Sequence, residues 1–182
     1  MYASHNSFTA YPVRKWYMRL LQIFAKCQNV SIGGQRFYGV EVFDIRVRIG
    51  ENGKLIPCHG LVEYEADVEN VIKYLENVGL YYRIVLENKI GGNKTSEQDI
   101  YIIKEIFISD EYPHCLYVSD KKDWNTTRNP YCKRQFKEKN EHGGTFCLIP
   151  RFWVRKFKKY KDWRSKNYDQ ETIFWYDFVE IK

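Results

Sequence analysis

The first two thirds of the chain alternate between strand-like and helix-like spacing of hydrophobic positions. Residues 40–49 (VEVFDIRVRI) alternate apolar with charged or polar side chains, which predicts a strand with Asp44, Arg46 and Arg48 on one face. On an exposed sheet these three side chains would be solvated. Glycines at positions 50 and 53 indicate a turn that brings the chain back along a second strand. Further strands are predicted at residues 2–4, 55–59, 82–86 and 116–118.

Three segments have the three- and four-residue apolar spacing of helices. Pro12 can open the first helix, whose apolar face we expect to pack in the core. That face consists of Val13, Trp16, Tyr17, Leu20, Leu21 and Phe24. A glycine pair at 33–34 is predicted to end this first helix. Residues 67–80 and the segment from 95 to 107 predict two more helices, and the alternation of strands and helices favours a parallel α/β fold.

The pattern weakens after residue 120. Residues 124–144 are polar and aperiodic, which predicts a long loop with a helical turn near 133–139. A strand at 145–149, a helix at 152–163 and an aromatic strand at 172–179 are predicted to complete the fold. With 182 residues and no linker-like stretch, residues 1–182 are predicted to form one domain.

Composition narrows the class of protein. The chain is 44% hydrophobic and 29% charged, as globular domains are, and it has no run of ~18 apolar residues that would span a membrane. The amino-terminal residues lack a secretory signal pattern. Five cysteines without a CxxC pair argue against a zinc site or a full disulfide framework. We therefore expect a cytoplasmic or otherwise intracellular protein.

The net charge of +6 is unevenly distributed. Residues 121–166 contain 15 Lys or Arg and 4 Asp or Glu, a net charge of +11. Within them, residues 151–166 mix cations with aromatic side chains, which is typical of peripheral contact with an anionic membrane and also of nucleic-acid binding. An ordinary amphipathic helix with its aromatic side in the core fits the same pattern.

Four residues suggest chemistry on a phosphodiester. His5 lies in Ser4-His5-Asn6-Ser7, Asp44 and Arg46 lie in one predicted strand, and His59 ends the next. One imidazole can take a proton from an attacking hydroxyl, a second can protonate the leaving group, and a guanidinium can hold the phosphate oxygens. Carboxylates can keep the two histidines in different protonation states.

These motifs resemble a known family. Ser4-His5-Asn6-Ser7, Phe43-Asp44-Ile45-Arg46 and His59-Gly60 resemble the X-box region of phosphatidylinositol-specific phospholipase C, and the similarity covers residues 4–89. The resemblance implies a TIM (β/α) barrel of the phospholipase C-like phosphodiesterase type. Because such barrels usually have about 250 residues, a small or abbreviated barrel is expected here.

The family also suggests roles for individual residues. It implies that His5 is the general base, His59 the general acid and Arg46 the phosphate ligand. Asp177 would orient His5, and Asp44 would support the two histidines and Arg46. The product would be a cyclic phosphodiester, which the same histidines could then hydrolyse.

The family's site residues give conflicting indications about calcium in this chain. Arg46 matches the metal-independent bacterial members, whereas Asn6 and Glu87 resemble metal ligands of the calcium-dependent members. A guanidinium at position 46 would repel a cation nearby by several kcal/mol. We therefore expect no cofactor, with Glu87 as the partner of Arg46 and with Asn6, Arg48 and Lys89 in supporting positions. If calcium is used, Asn6 and Glu87 are its expected ligands.

Alternatives remain open for the substrate. The preferred substrate is a phosphoinositide lipid, and glycerophosphodiesters or sphingomyelin-type lipids are the next candidates. A third possibility is an inactive, reduced barrel that binds phosphoinositides or nucleic acid through its basic third. Retention of both histidines and the arginine favours an enzyme and disfavours nucleic acid as the partner.

Overall fold

A computed structural model describes most of the chain. The described residues are 1–50, 52–87, 97–120, 126–132, 134, 136–140 and 172–176. The predictions for residues 145–149 and 152–163 lie outside them, as do those for residues 177–179 of the final strand.

Parallel strands form the centre of the fold. The sheet has the order β7-β6-β5-β2-β1-β9-β8, in which β7 is antiparallel to β6 and the other pairs are parallel. β3 pairs with β2 as the second arm of a hairpin and β4 pairs with β3. The strands are β1 (Tyr2–Ser4), β2 (Val42–Ile49), β3 (Leu55–His59), β4 (Val62–Glu63), β5 (Tyr81–Leu86), β6 (Cys115–Asp120), β7 (Thr126–Arg128), β8 (Lys137–Asn140) and β9 (Thr172–Tyr176).

Within the described ranges, four α-helices connect the strands. They are α1 (Gln22–Ala25), α2 (Ile32–Phe37), α3 (Val68–Asn77) and α4 (Glu97–Phe107), and 3₁₀ helices cover Ser7–Ala10 and Trp16–Leu20. The side chain of Asp67 caps α3 by accepting a hydrogen bond from the Asn70 N–H at 3.1 Å. The predicted helices at 67–80 and 95–107 are confirmed within a few residues.

The order of the parallel strands is cyclic, in the sense that it follows the chain from β1 through β2 and β5 to β6 and returns from β8 through β9 to β1. The first strand, β1, pairs with both β2 and β9, and the series β1-β2-β5-β6 and β8-β9-β1 follow one direction around the sheet. This order is the one a barrel requires. Among the described residues no pairing joins β6 or β7 to β8, so the sheet is not closed there. The mixed α/β class is confirmed, and a complete barrel is not shown.

The two faces of β2 have different neighbours. Phe43, Ile45 and Val47 belong to the main core together with residues of α3 and α4. Strand alternation therefore turns Asp44, Arg46 and Arg48 to the opposite face. That face is not solvated, because Asp44 is 0% and Arg48 4% exposed.

The prediction of a core helix after Pro12 is wrong. The chain forms a 3₁₀ helix at Trp16–Leu20 and a single turn of α-helix instead. Trp16 is 79% and Leu20 78% exposed, whereas Met18 and Ala25 are buried in a cluster with Val13, Val62 and Tyr64. Of the predicted face only Val13 is buried in this cluster, and Met18 and Ala25, which anchor the segment with it, do not belong to that face.

The sequence pattern did not predict three short elements. Helix α2 contains two glycines, and strands β7 and β8 consist of polar residues. In α2 the Ser31 hydroxyl caps the helix by accepting from the Gly34 N–H at 3.4 Å. A Cβ on Gly34 would lie 3.0 Å from the Val30 Cβ, so glycine permits close packing there. Strands β7 and β8 occupy the predicted loop, and the helical turn expected at 133–139 is wrong for residues 137–139, which belong to β8.

Among the described residues, no helix has the length and apolar character needed to cross a membrane. Their cysteines, at positions 27, 58, 115 and 132, are buried free thiols. This part of the chain is therefore held together without disulfides.

Candidate active site

The candidate residues meet at one edge of the sheet. His5 directly follows β1, Asp44 and Arg46 lie in β2, His59 ends β3, and Glu87 directly follows β5. Because β1, β2 and β5 are parallel, their carboxyl ends share this edge. The hairpin of β2 and β3 then returns His59 to the same place.

A tight turn fixes the first histidine. Asn6 has the left-handed conformation (φ 49°, ψ 58°), which asparagine adopts more readily than most residues. Its N–H donates to Asp44 Oδ2 at 3.0 Å, and the hydroxyl of Thr9 donates to its carbonyl at 2.9 Å. Gln28 Nε2 donates to the carbonyl of His5 at 2.9 Å. The backbone on both sides of the imidazole is therefore held in place.

Asp44 is the central carboxylate of the site. Its Oδ2 accepts from Arg46 Nε at 2.9 Å, and its Oδ1 accepts from Arg83 Nε at 2.8 Å. Burial by itself would raise the pKa of Asp44, but the charges of Arg46 and Arg83 hold that pKa well below its usual range. Asp44 is therefore ionised and anchors two guanidinium groups.

Arg46 spans three partners. Besides Asp44, its Nη1 donates to Glu87 Oε1 at 3.1 Å and its Nη2 donates to His5 Nε2 at 2.7 Å. Arginine has no acceptor, so His5 Nε2 must carry a lone pair and the ring must be neutral. Burial, followed by the charge of Arg46, lowers the pKa of His5 well below its usual value. His5 therefore has the protonation state of a base.

His59 has a different hydrogen-bond environment. Its Nδ1 lies 2.6 Å from the carbonyl oxygen of Ala25, which only accepts, so Nδ1 carries a proton. The rings of His5 and His59 lie 6.3 Å apart between centroids, at 78° to each other. That distance suits two groups that act on one phosphate.

The Asn6 amide lies between the two imidazoles. Its Nδ2 is 3.3 Å from His5 Nε2 and 3.3 Å from His59 Nε2. Its Oδ1 is buried without a hydrogen-bond partner among the described residues. Exchange of the amide oxygen and nitrogen would let Oδ1 accept from a protonated Nε2 of His59. The neutral amide can thus donate to the unprotonated Nε2 of His59 through its nitrogen, or accept from the protonated Nε2 through its oxygen.

Glu87 connects Arg46 to the chain after His59. Its Oε1 accepts from Arg46, and its Oε2 accepts from the N–H of Gly60. Arg48 Nη2 donates to the carbonyl of Gly60, and Arg48 Nη1 lies 3.5 Å from Glu63 Oε1. Both ends of Gly60 are thereby held in a left-handed conformation (φ +60°). The described contacts of Arg48 thus position the His59 segment.

Sequence reasoning missed Arg83. It lies opposite Asp44 in the register of β2 and β5, and its Nη1 donates to the Tyr117 hydroxyl at 2.7 Å. Its guanidinium stacks 3.8 Å above the ring centroid of Trp175 in β9. A charged residue inside the apolar run 82–86 was the available signal.

Cys27 was also missed. Its Sγ is 3.3 Å from Asn6 Nδ2 and 3.9 Å from His59 Nδ1. No pattern in the sequence marked this thiol. Cys58 directly precedes His59 in β3, so its side chain faces the side of the strand opposite to the imidazole.

Two predicted site residues, Asp177 and Lys89, lie outside the described residues. The predicted membrane segment 151–166 lies outside them as well. Their assignments stay predictions.

The carboxylates of the described site already have hydrogen-bonded partners. Calcium takes six to eight oxygen ligands. Here the Arg46 guanidinium contacts both Asp44 and Glu87, and the second oxygen of Glu87 is used by Gly60. Within the described ranges, no group of three His, Cys, Asp or Glu side chains is arranged to hold a metal.

No family model and no curated protein matches the sequence. Solved structures do match the fold. The phosphatidylinositol-specific phospholipase C from Listeria monocytogenes has a TM-score of 0.61 at 12% identity, covering 98% of this chain and 87% of that one. A double mutant of the Staphylococcus aureus enzyme has a TM-score of 0.60 at 11% identity, covering 98% and 84%. The resemblance to the bacterial enzymes is confirmed, and at this identity it shows the fold.

Proposed function

We propose that this protein is a phosphodiesterase that uses His5 and His59 as base and acid, and that its substrate is a phosphoinositide lipid. One observation carries the proposal. The Nε2 atoms of both histidines lie 3.3 Å from the same Asn6 amide nitrogen, and the largely buried guanidinium of Arg46 contacts His5. The fold shared with phosphatidylinositol-specific phospholipase C supports it.

The reaction begins with binding of the phosphate. A phosphate oxygen is a stronger acceptor for Arg46 Nη2 than imidazole is, so substrate displaces His5 Nε2 from the guanidinium. His5 then removes the proton of the attacking hydroxyl, whose oxygen bonds to phosphorus. The bond from phosphorus to the leaving oxygen breaks, and protonated His59 donates its Nε2 proton to that oxygen. Water attack with the roles exchanged would open the cyclic product.

Fixed charges prepare Arg46 for this exchange. Asp44 holds its Nε and Glu87 holds its Nη1, so only the contact of Nη2 with His5 needs to change. Because both carboxylates are almost fully buried, the guanidinium keeps its orientation while the phosphate enters. Such preorganisation is the main source of charge stabilisation in enzymes.

Two further assignments belong to this proposal. The register of β1 and β9 ends with Ser4 opposite Tyr176, and the next residues in the chain are His5 and Asp177. That sequence relation supports Asp177 as the carboxylate that orients His5. The cyclic strand order supports a small barrel as the complete fold.

Phosphorus NMR of the products tests the reaction class. With phosphatidylinositol we expect a cyclic inositol phosphate as the first product, because the ring hydroxyl is the attacking group. Glycerophosphodiesters and sphingomyelin are the comparison substrates. Turnover of these comparison substrates without turnover of phosphatidylinositol would contradict the proposed substrate class. Failure to cleave any phosphodiester, with tight binding to anionic liposomes or oligonucleotides, would show an inactive binding protein.

Chelation tests the metal requirement. We expect full activity in excess EGTA, because the Arg46 guanidinium occupies the position between the two carboxylates and supplies the positive charge. Protein dialysed against EGTA and then assayed with and without added calcium gives the comparison. A strict requirement for added calcium would contradict the proposal.

A further inference from the structure

A cavity of about 250 Å³ lies at the edge of the sheet opposite to the candidate active site. Leu116 of β6 and Ile173 of β9 form part of its wall, and each is the second residue of its strand. His5 and Glu87 instead follow the last residues of β1 and β5. These four strands run parallel within the sheet, so the cavity lies at their amino ends and the histidine site at their carboxyl ends. We call it the amino-end cavity.

Two arginines line the amino-end cavity. Arg128 ends β7, and Arg134 lies before β8, with its guanidinium carbon 6.0 Å from the centroid of the Tyr81 ring. Among the described residues, neither arginine forms an ion pair with a carboxylate, and none of those that line the cavity is acidic. Residues 126–137 contain four Lys or Arg and no Asp or Glu. The positive charge of this wall favours an anion.

Hydrogen bonds fix the wall around these arginines. Asn129 is buried, and its Nδ2 donates to the carbonyl of Tyr112 at 3.0 Å. The backbone N–H of Asn129 donates to the carbonyl of Leu116 at 3.0 Å, and its own carbonyl accepts from the N–H of Cys132 at 3.2 Å. The loop that follows β7 is therefore held against β6. Because this wall is already ordered, a ligand would bind without a large cost in conformational entropy.

The rest of the described wall is largely apolar. Leu116, Phe136 and Ile173 line the cavity and belong to one buried hydrophobic cluster. Contact with them favours a ligand that has a hydrocarbon part. Cavities that take drug-sized molecules usually have about 300–1,000 Å³, so this one fits a smaller molecule. An oligonucleotide or a lipid with its acyl chains is too large for it.

We propose that the amino-end cavity binds a small organic phosphate monoester. A guanidinium can bind two phosphate oxygens through parallel N–H donors, which makes arginine well suited to phosphate. A phosphate monoester carries a charge between about −1.5 and −2 at pH 7, which Arg128 and Arg134 together balance. The hydrocarbon part of the ligand contacts Leu116, Phe136 and Ile173. The inference does not depend on the proposed function, because both arginines lie away from the histidine site.

Isothermal titration with phenyl phosphate tests the site. Wild type is expected to bind phenyl phosphate more tightly than inorganic phosphate or benzyl alcohol, because each of these has only one of the two parts that the cavity contacts. The variant Arg128→Gln/Arg134→Gln should bind phenyl phosphate in the cavity about 100-fold more weakly, since it loses two charge-assisted contacts. Lys54→Gln/Lys73→Gln is the matched control, which removes the same charge from two exposed residues outside the described lining and should bind like wild type.

Alkylation of Cys132 reports on the cavity itself. Cys132 lines the cavity as a free thiol, and burial raises the pKa of that thiol, so labelling with iodoacetamide is carried out at alkaline pH. Mass spectrometry of the Cys132 peptide should show labelling of wild type slowed about tenfold at a phenyl phosphate concentration about ten times Kd. The same concentration should leave labelling of Arg128→Gln/Arg134→Gln almost unchanged. Phenyl phosphate bound at Arg46 would not protect Cys132, because the cavity lies at the opposite edge of the sheet.

Equal affinity of Arg128→Gln/Arg134→Gln and the lysine control for phenyl phosphate would overturn the proposal. So would labelling of Cys132 at an unchanged rate in saturating phenyl phosphate. If iodoacetamide does not react with Cys132 at all, the titration decides. Inorganic phosphate bound as tightly as phenyl phosphate would overturn the assignment of an organic ligand, and benzyl alcohol bound as tightly would overturn the assignment of a phosphate.

Turnover of a water-soluble phosphodiester separates this inference from the proposed function. It should be the same in wild type and in both double variants, since none of the four substituted residues belongs to the histidine site. Loss of binding in the cavity with normal turnover would leave the proposed function intact. Binding in the cavity by a protein that cleaves no phosphodiester would contradict the proposed function alone.

Discussion

Replacing His59 with alanine is expected to slow cleavage by about 10²- to 10⁴-fold when the leaving group is an alkoxide, because that is the usual contribution of one general acid. The same variant should cleave a nitrophenyl phosphodiester at close to the wild-type rate. Nitrophenolate is a weak base and departs without a proton, so the acid contributes little. Steady-state rates on the two substrates, which share one attacking hydroxyl, give the comparison.

His5→Ala is the complementary variant. It should slow both substrates equally, because removal of the proton from the attacking hydroxyl does not depend on the leaving group. His114→Ala is the control. His114 lies just before β6, at the amino end of that strand, and its Nδ1 is 2.6 Å from Glu76 Oε2. An equal loss on both substrates for His59→Ala would contradict its role as acid.

The pH profile should identify the base. Burial and Arg46 lower the pKa of His5, so its lone pair remains available below the usual imidazole range. The acidic limb of kcat/KM is therefore expected below about pH 6.5, the ordinary value for histidine. An acidic limb at or above that value would argue against His5 as the base of the free enzyme.

The proximity of the candidate residues follows from local patterns. Alternation in β2 put Asp44 and Arg46 on one face, and the predicted hairpin returned the chain to His59. Both are short-range relations, which strand periodicity and turn residues encode directly. This is why Asp44, Arg46 and His59 could be placed together from the sequence, whereas His5 joins them through the pairing of β1 with β2.

The neighbours from other elements could not be predicted in the same way. Arg83 contacts Asp44 because β5 pairs with β2 in one particular register, and no local pattern specifies that register. Trp175 reaches Arg83 from a strand more than ninety residues away in the chain. Apolar spacing after Pro12 also did not reveal which side of the segment is buried, because periodicity reports an apolar face and not what covers it.

Asp44→Asn is expected to lower the free energy of unfolding by about 3–5 kcal/mol, as removal of one partner from a buried ion pair usually does. Asp44 is fully buried and neutralises part of the charge of Arg46 and Arg83. The variant keeps the shape but has one acceptor oxygen, while three donors point at the carboxylate. Its NH₂ group would face an N–H donor, and both guanidinium groups would stay largely buried without the full charge that balances them.

Denaturant unfolding of both proteins measures this cost. Asp67→Asn is the matched control, because Asp67 caps α3 at an exposed position and asparagine caps about equally well. Its free energy of unfolding should differ from that of wild type by less than about 0.5 kcal/mol. A similar small loss for Asp44→Asn would contradict the structural role assigned to Asp44.

The pH dependence separates the charge of Asp44 from its shape. Because Arg46 and Arg83 outweigh burial and hold the pKa of Asp44 well below its unfolded value, the folded state binds fewer protons there than the unfolded state does. The stability from this carboxylate is fully present above about pH 4, the unfolded pKa, and is lost as the pH falls toward the folded pKa. The difference in unfolding free energy between wild type and Asp44→Asn should therefore shrink as the pH is lowered below about 4. A difference that stays constant through that range would mean that packing, and not the ion pairs with Arg46 and Arg83, accounts for the loss.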